Sequence, residues 1–446
     1  MKKMKNRLTY TQIIALGFLL IIVVGSLLLM MPVSSRTGTA TPFLNALFTA
    51  TSATCVTGLS VYDTFTHWSG FGQAVILLLI QIGGLGFMTV ITLFFLLMKK
   101  QIQLKERRLL MQSAGNLTLG GVIRLVRKIL IGTLCFELIG AILLSFRFCR
   151  QLGLSTGIWY AVFHSVSAFC NAGFDLMGRF EPSSSLAPYA TDPLVILTIV
   201  SLILIGGLGF IVWNDLYEHK WYFSKYHLHT KIILTASAVL VLIPTALFFI
   251  TESGGALKDY SLGERWLISL FLAVTPRTAG FLTIPLNELS ESGGLLTMGL
   301  MLIGGSPGST AGGIKITTFT VLVLGMIAAA RHESKVVLFK RQLEPGSVRE
   351  ASSVITIYAL FIFAAAFIIC ALEPVSLKDC LFETISAAGT VGLSAGITSG
   401  LGVISKLCLI ILMFGGRVGL LSLALVLAEK REHVPLERPT EKILIG

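Results

Sequence analysis

Charge is scarce in this sequence. Only 13% of its 446 residues are Asp, Glu, Lys or Arg, against about 25% in an average soluble domain. With 54% hydrophobic residues as well, the chain cannot present a water-facing surface all round. That excludes a soluble globular enzyme and indicates a polytopic membrane protein. The seven cysteines form no CxxC pair and no cluster with histidine, so neither a disulfide framework nor a metal site is expected. No HExxH, GxSxG or paired-carboxylate motif falls at membrane depth, and no Walker sequence occurs. The chain is therefore not read as an enzyme, no resident cofactor is expected, and any nucleotide control must come from another chain.

Long apolar runs stand where charge is missing. Stretches able to cross a bilayer, about 20 residues, lie at 11–31, 71–98, 129–146, 193–213, 232–250, 354–372 and 403–428. An eighth, 294–330, is interrupted by GGSPGSTAGG at 304–313. The first run is long and reads as a retained helix rather than a cleaved signal. The net charge is +12, and its placement is informative. Segments 1–10, 99–128, 214–231, 331–353 and 429–446 hold 24 Lys and Arg against 10 Asp and Glu, whereas the alternate connections hold 9 against 12. The positive-inside tendency places the first set, and both termini, on the cytoplasmic side of a cell membrane. These basic residues are scattered beside helix ends, which suits lipid headgroups and not nucleic acid.

Irregular glycine-containing stretches recur. ATCVTGLS (53–60), AFCNAGFD (168–175), TPRTAGFL (275–282) and AAGTVGLS (387–394) align on Gly58, Gly173, Gly280 and Gly392, at intervals of 115, 107 and 112 residues. Each glycine precedes a large apolar residue: Leu59, Phe174, Phe281 and Leu393. A Gly-Gly pair follows in the same register, in QIGGLGF (81–87), LIGGLGF (204–210), LIGGSPG (302–308) and MFGGRVG (413–419). A single pair could serve close helix packing, but two signals recurring four times indicate an internal repeat. The repeats span 1–100, 101–219, 220–332 and 333–446, each reading as spanning helix, short helix, irregular stretch, spanning helix. Helix starts are offered by Thr41-Pro42, by Ser155 or Thr156, and by Ser261 with Glu264 and Ser376 with Asp379. About 12 helical residues make roughly 18 Å, too short for a hydrocarbon core of about 30 Å, so these helices should enter and return. Basic clusters follow the second spanning helix of every repeat, giving all four one orientation, unlike an inverted-repeat transporter. The expected fold is an all-α polytopic membrane protein. Four parallel helix–pore loop–helix repeats, with eight spanning helices and four re-entrant pore helices, surround a pseudo-fourfold central pore.

Non-helical backbone survives at membrane depth only where protein buries it or water bathes it. Four equivalent stretches around one axis meet that condition, and their carbonyls can replace the hydration shell of a cation. The candidate ion ligands are the carbonyls of Cys55, Val56, Thr57 and Gly58; Cys170, Asn171, Ala172 and Gly173; Arg277, Thr278, Ala279 and Gly280; and Gly389, Thr390, Val391 and Gly392. The cation they are expected to hold is substrate, and no resident metal is implied. TVG at 390–392 matches part of the TVGYG potassium filter.

The candidate gate is Gly304, Gly305, Ser306, Pro307, Gly308, Ser309, Thr310, Ala311, Gly312 and Gly313, with Lys315 and Arg417. Pro and five glycines oppose a continuous helix there, which leaves either a structural kink or a mobile plug. Lys315 either snorkels to the cytoplasm, the favoured reading, or presents its charge to the pathway. Arg417 lies near mid-membrane. It either ties down neighbouring carbonyls or faces the cavity, bonds the 304–313 loop and repels cations. Glu137 is a second mid-membrane charge whose role stays open. Asp175 either enriches cations at the outer mouth or is a solvated loop carboxylate. Arg277 is expected to brace its loop from behind, and His164 to pack.

On these motifs the sequence resembles the Trk/Ktr/HKT superfamily of potassium transport proteins, most closely its KtrB-type membrane subunits. The resemblance covers nearly the whole chain, including the interruption at 304–315. The Trk branch has two additional N-terminal helices, so the shorter Ktr branch fits better. Some plant relatives carry serine at the first filter position and favour sodium; Gly58 here implies potassium. The family implies channel-like K+ permeation, with a symporter coupling K+ entry to Na+ or H+ as the alternative. It also implies a homodimer docked on a cytosolic nucleotide-binding regulatory ring of the KtrA type, with EKILIG at 441–446 reaching the sister protomer.

Overall fold

A computed structural model describes residues 10–86, 122–220, 222–333 and 335–420. In the first quarter of the chain α1 (Tyr10–Met30) is followed by a short α2 (Phe43–Thr54) and by α3 (Gly70–Leu85). The second quarter contains α4 (Val122–Leu152), α5 (Leu154–Phe169), α6 (Pro193–Leu208) and α7 (Phe210–His219). The third contains α8 (Leu228–Glu252), α9 (Leu262–Val274), α10 (Glu291–Met301) and α11 (Ile316–Ala330). A small antiparallel hairpin, β1 (Val337–Leu338) and β2 (Arg341–Gln342), then leads to α12 (Ser347–Leu372), α13 (Leu377–Gly389) and α14 (Val403–Val418). The expected basic segment 99–128 falls largely outside the described residues, as do 1–9 and the C-terminal 421–446.

Each quarter opens with a helix long and apolar enough to cross a membrane: Gln12–Met30 within α1, Val126–Leu152 within α4, α8 and α12. Only about a third of each of these stretches is covered by protein. Their outer faces carry Leu20, Leu134, Leu242 and Phe367, each more than 60% exposed. Such apolar surface is stable against lipid, not water.

The short helices α2, α5, α9 and α13 begin partly as the sequence indicates. Ser261 and Glu264 form the reciprocal capping box, and Ser376 accepts from the Asp379 amide. Two starts differ. Helix α2 begins at Phe43 with Pro42 as its cap, and the Thr41 hydroxyl bonds His67 Nε2 at 3.0 Å instead. Helix α5 begins at Leu154, ahead of Ser155 and Thr156, because Gly153 at φ 82° turns the chain sharply out of α4.

The helices that follow are not the continuous spans expected at 71–98, 193–213 and 403–428. Helix α3 ends at Gly86 (φ 82°) and α14 at Gly419 (φ 100°). Helix α6 ends at Gly209 (φ 93°), where the chain bends by 93° into α7. The third quarter breaks between α10 and α11. The Gly-Gly pairs explain the common level of these ends. A Cβ on Gly83 would lie 2.0 Å from the Thr54 carbonyl oxygen, one on Gly206 2.0 Å from that of Phe169, and one on Gly416 2.3 Å from that of Ala388. Each acceptor lies four residues before its glycine stretch ends. The pairs let one helix sit against the C-terminus of the short helix in its own quarter, where no side chain fits.

Neighbouring quarters interlock in a closed cycle. Helix α3 packs on α5, α6 on α9, α10 on α13, and α14 back on α2. One apolar cluster joins Ile76, Leu79 and Ile80 to Phe163, Ile199 and Ile203, and another joins Phe48 and Leu59 to Leu409 and Leu412. Gly206→Ala is expected to lower stability by about 1–3 kcal/mol through overpacking. Gly299→Ala, with nothing within 4 Å of the added carbon, should leave it unchanged. Thermal melts of the two purified variants in detergent measure the difference.

Candidate functional site

The four short helices release the chain into stretches of one conformation. Cys55 and Cys170 still have helical geometry as C-caps, and Gly389 is the last residue of α13. Two residues before each aligned glycine, φ turns positive at Val56 (57°), Asn171 (59°), Thr278 (69°) and Thr390 (52°). The glycines themselves are positive: Gly58 (96°), Gly173 (68°), Gly280 (76°) and Gly392 (93°). Alternation in the sign of φ turns successive carbonyls to one side and amides to the other. Positive φ is unusual for β-branched Val56, Thr278 and Thr390, and persists only where the surroundings impose it.

Those surroundings are hydroxyls and carbonyls at the end of each short helix. The Gly58 amide donates to Ser52 Oγ (3.0 Å) and the Gly392 amide to Ser386 Oγ (3.1 Å). Ser167 Oγ donates to the Phe174 carbonyl and Thr275 Oγ1 to that of Phe281, both at 2.6 Å. The amides of Thr57, Ala172, Gly280 and Val391 donate to the carbonyls of Ser52, Ser167, Thr275 and Ser386. These four hydroxyl residues were not among the expected site residues. A Ser-Ala dipeptide recurs at 52–53, 167–168 and 386–387, which is the signal that marks three of them.

The glycines meet each other. A Cβ on Gly58 would approach the Ala172 oxygen (2.6 Å), on Gly173 that of Ala279 (2.9 Å), on Gly280 that of Val391 (2.3 Å), and on Gly392 that of Thr57 (2.2 Å). Each stretch therefore touches the next, and the fourth returns to the first. Among the described residues, no hydrogen bond is made to the carbonyls of 56–58, 171–173, 278–280 or 390–392. The Arg277 side chain turns away toward α8. Its Nη2 donates to Ser237 of α8 at 3.3 Å, while its Nε and Nη1 have no partner among the described residues. It stands behind the ring.

The 304–313 segment lies against one side of this ring. A Cβ on Gly312 would strike Thr390 Oγ1 (2.1 Å), and one on Gly313 the Gly389 oxygen (2.8 Å). The loop is bonded to the interrupted helices. Ser306 N donates to the Gly207 carbonyl (3.0 Å), Thr310 N to that of Gly206 (3.3 Å), and Gly313 N to that of Gly416 (3.2 Å). Thr310 Oγ1 donates to the Phe169 carbonyl at 3.1 Å. Arg417 connects the remaining parts: it donates to the carbonyls of Thr310 and Gly83, and to that of Gly84 at 3.2 Å. Lys315 does not reach away toward the cytoplasm. Its ammonium turns back to the carbonyls of Ala311 (2.7 Å) and Gly312 (3.4 Å) and closes the loop on itself.

On the other side Gly58, Gly173, Gly280 and Gly392 all open into one cavity of about 790 Å3. Asp63, Asp175, Glu181 and Asp379 line it, against a single Lys378, so its field attracts cations. Asp175 accepts from the Met177 amide at 2.9 Å. Burial pushes its carboxyl up to about 6, with the Met177 bond opposing and the nearby Asp63 charge adding. Glu137 accepts from Gln81 at 3.2 Å and faces the Cys170 thiol at 3.9 Å, tying α3 and α4 to the second stretch. His164 is fully buried. Beyond packing, it contacts the Tyr160 carbonyl through Nδ1 (2.7 Å) and accepts from the Leu176 amide through Nε2 (3.3 Å).

The sequence profile of the TrkH family, described as cation transport protein, matches residues 4–434. The chain belongs to the TrkH family. It is 40% identical to the potassium/sodium uptake protein NtpJ of Enterococcus hirae, over 100% of this chain and 99% of that one. It is also 40% identical to the Ktr system potassium uptake protein B of Bacillus subtilis, over 99% and 97% of the two chains. The solved potassium transporter TrkH from Vibrio parahaemolyticus superposes with a TM-score of 0.76 at 17% identity, covering 96% of this chain and 87% of that one. That last likeness concerns the fold. For this TrkH-family member, cation uptake at subsaturating concentration is expected to fall as the pH of the solution bathing the cavity drops through about 6, as Asp175 gains a proton and the cavity loses charge. Asp175→Asn should remove that step, as flux recorded against that pH will report.

Proposed function

We propose that the chain is the ion-translocating subunit of a potassium uptake system, with K+ passing through the ring of glycine stretches. The relatives named for potassium uptake support the choice of ion. The observation that carries the reading is the closed ring of carbonyls that have no hydrogen-bond donor among the described residues. A buried carbonyl without a partner is destabilising by about 1–3 kcal/mol. A dehydrated cation on the axis supplies what all four stretches lack at once.

In this reading the four quarters are parallel repeats with eight membrane-spanning segments, the short helices are re-entrant, and the cavity is the outer mouth. The short helices end at the ring, so the negative ends of their dipoles favour a cation. The loop and Arg417 form the gate, since its guanidinium joins the loop to α3 and places a positive charge below the ring. Both termini are cytoplasmic, and the subunit works as a homodimer on a cytosolic nucleotide-binding ring of the KtrA type. The second reading is coupled entry with Na+ or H+. The potassium/sodium designation of the Enterococcus hirae relative favours keeping it. Turnover under a fixed gradient, with and without Na+, separates channel-like flux from coupling.

Uptake by cells lacking their own potassium transporters tests the ring. Gly58→Ser and Gly392→Ser place a Cβ within 2.6 Å and 2.2 Å of a neighbouring carbonyl at positive φ. Each is expected to weaken potassium affinity or sodium discrimination at least about tenfold, a change of roughly 1.4 kcal/mol. Unaltered affinity and discrimination in both variants would refute the ring as the ion path. Arg417→Ala is expected to raise flux several-fold with selectivity intact, because an electrostatic barrier is removed. Slower flux from a folded variant would show that its bonds to the loop matter more than its charge.

A further inference from the structure

Aligning the four quarters on their glycines brings two buried polar residues to the same place. Glu383 and His164 each stand nine residues before the aligned glycine of their quarter. Both are 0% exposed. His164 Nε2 accepts from the amide of Leu176, three residues beyond Gly173, at 3.3 Å. Glu383 Oε2 accepts from the amide of Ala395, three residues beyond Gly392, also at 3.3 Å. Glu383 Oε1 further accepts from Ser394 Oγ (3.1 Å) and from the Thr398 hydroxyl. An imidazole and a carboxylate thus make one contact at equivalent positions of different quarters.

The other two quarters lack it. Thr49 occupies the position in the first, and its hydroxyl is engaged with the Asn45 carbonyl of its own helix at 3.0 Å. Phe271 occupies it in the third and is a buried apolar residue. There the chain past the glycine is held from outside: the Leu282 amide donates to Ser185 Oγ at 3.1 Å, and the Leu186 amide to the Leu282 carbonyl at 2.8 Å. In the cycle described above, the second and fourth quarters are not neighbours but face each other across the ring. The braced stretches therefore form one diagonal.

We propose that Glu383 and His164 are paired positioning residues that fix the outward ends of two opposing glycine stretches. Through these ends they set the separation of the carbonyls that discriminates among alkali cations. The proposal rests on the ring being the ion path. Each brace anchors the chain three residues past the glycine, while Ser167 Oγ holds the Phe174 carbonyl and Ser386 Oγ the Gly392 amide. A stretch held at these successive points resists widening to suit a different ion radius, and one that has lost its brace resists less.

The experiment is competitive uptake of K+ and Na+ by cells lacking other potassium transporters, with half-saturating concentration and maximal rate recorded separately. Melting of the purified full-length variants monitors folding. Glu383→Ala and His164→Phe are expected to lower K+ over Na+ discrimination about tenfold, as loss of one strong hydrogen bond implies. Glu383→Gln, which keeps an acceptor oxygen, should retain most of it. Thr49→Val, at the equivalent unbraced position, should leave the ratio unchanged. If Glu383→Ala does not fold, His164→Phe decides the matter alone. Loss of maximal rate or melting temperature with an unchanged ratio would overturn the proposal, leaving a merely structural role. If Gly392→Ser also leaves the ratio unchanged, the ion path itself is misassigned and the inference falls with it. If Gly392→Ser shifts the ratio and the brace variants do not, only the inference falls.

Discussion

A backbone carbonyl without a hydrogen-bond donor is unstable inside a protein, and this structure gathers a full ring of them. Many of their amides are engaged, those of Thr57, Gly58, Ala172, Gly280, Val391 and Gly392 by Ser52, Ser167, Thr275 and Ser386 at the ends of four short helices. The oxygens are left over. Every other feature of the central region follows from keeping that arrangement in place. The positive φ of Val56, Asn171, Thr278 and Thr390 holds successive oxygens to one side. The glycines leave no Cβ where neighbouring stretches touch. The interlocking of each quarter with the next supplies the constraint that an isolated stretch could not provide.

The same carbonyl problem recurs one level away, and there the protein resolves it differently. Helices that stop at Gly86, Gly209 and Gly419 leave terminal carbonyls without intrahelical donors. The interrupted third quarter furnishes donors for several of them: amides of Ser306, Thr310 and Gly313 reach Gly207, Gly206 and Gly416. Arg417 reaches Gly83 and Gly84. The segment from 304 to 313 is thus a shared cap for the second and fourth quarters, and Arg417 serves the first. A cap made of single hydrogen bonds to an irregular loop can be released piecemeal, which is the property a gate requires. The two carbonyl sets differ in one respect: among the described residues the helix ends have protein donors, and the ring has none.

Much of the architecture was legible because repetition leaves a mark in sequence. Four aligned glycines marked the stretches that meet one another, and Ser261 with Glu264 and Ser376 with Asp379 located two helix starts. The starts that failed, at Thr41-Pro42 and at Ser155 or Thr156, are places where a tertiary contact prevailed. Thr41 found His67, and Gly153 redirected the chain early. Continuous helices were expected at 71–98, 193–213 and 403–428 because hydropathy counts apolar residues and is blind to φ. Glycines within an apolar run look harmless until the backbone sign at Gly86, Gly209 and Gly419 is known. Lys315 was read from its length alone, and the nearby carbonyls that hold it belong to its own loop.

The sequence alone determined that the chain is apolar, helical and fourfold repetitive, and which residues stand at equivalent places in each repeat. These properties follow from composition and spacing, which are one-dimensional. Tertiary structure decided which equivalent residues act alike. Glu383 and His164 share a position and a partner, whereas Thr49 and Phe271 share only the position. It also decided that Arg417 joins the first quarter to the third. The physical reason is that a hydrogen bond requires its partner within about 3 Å along a given direction, and no spacing along the chain specifies that.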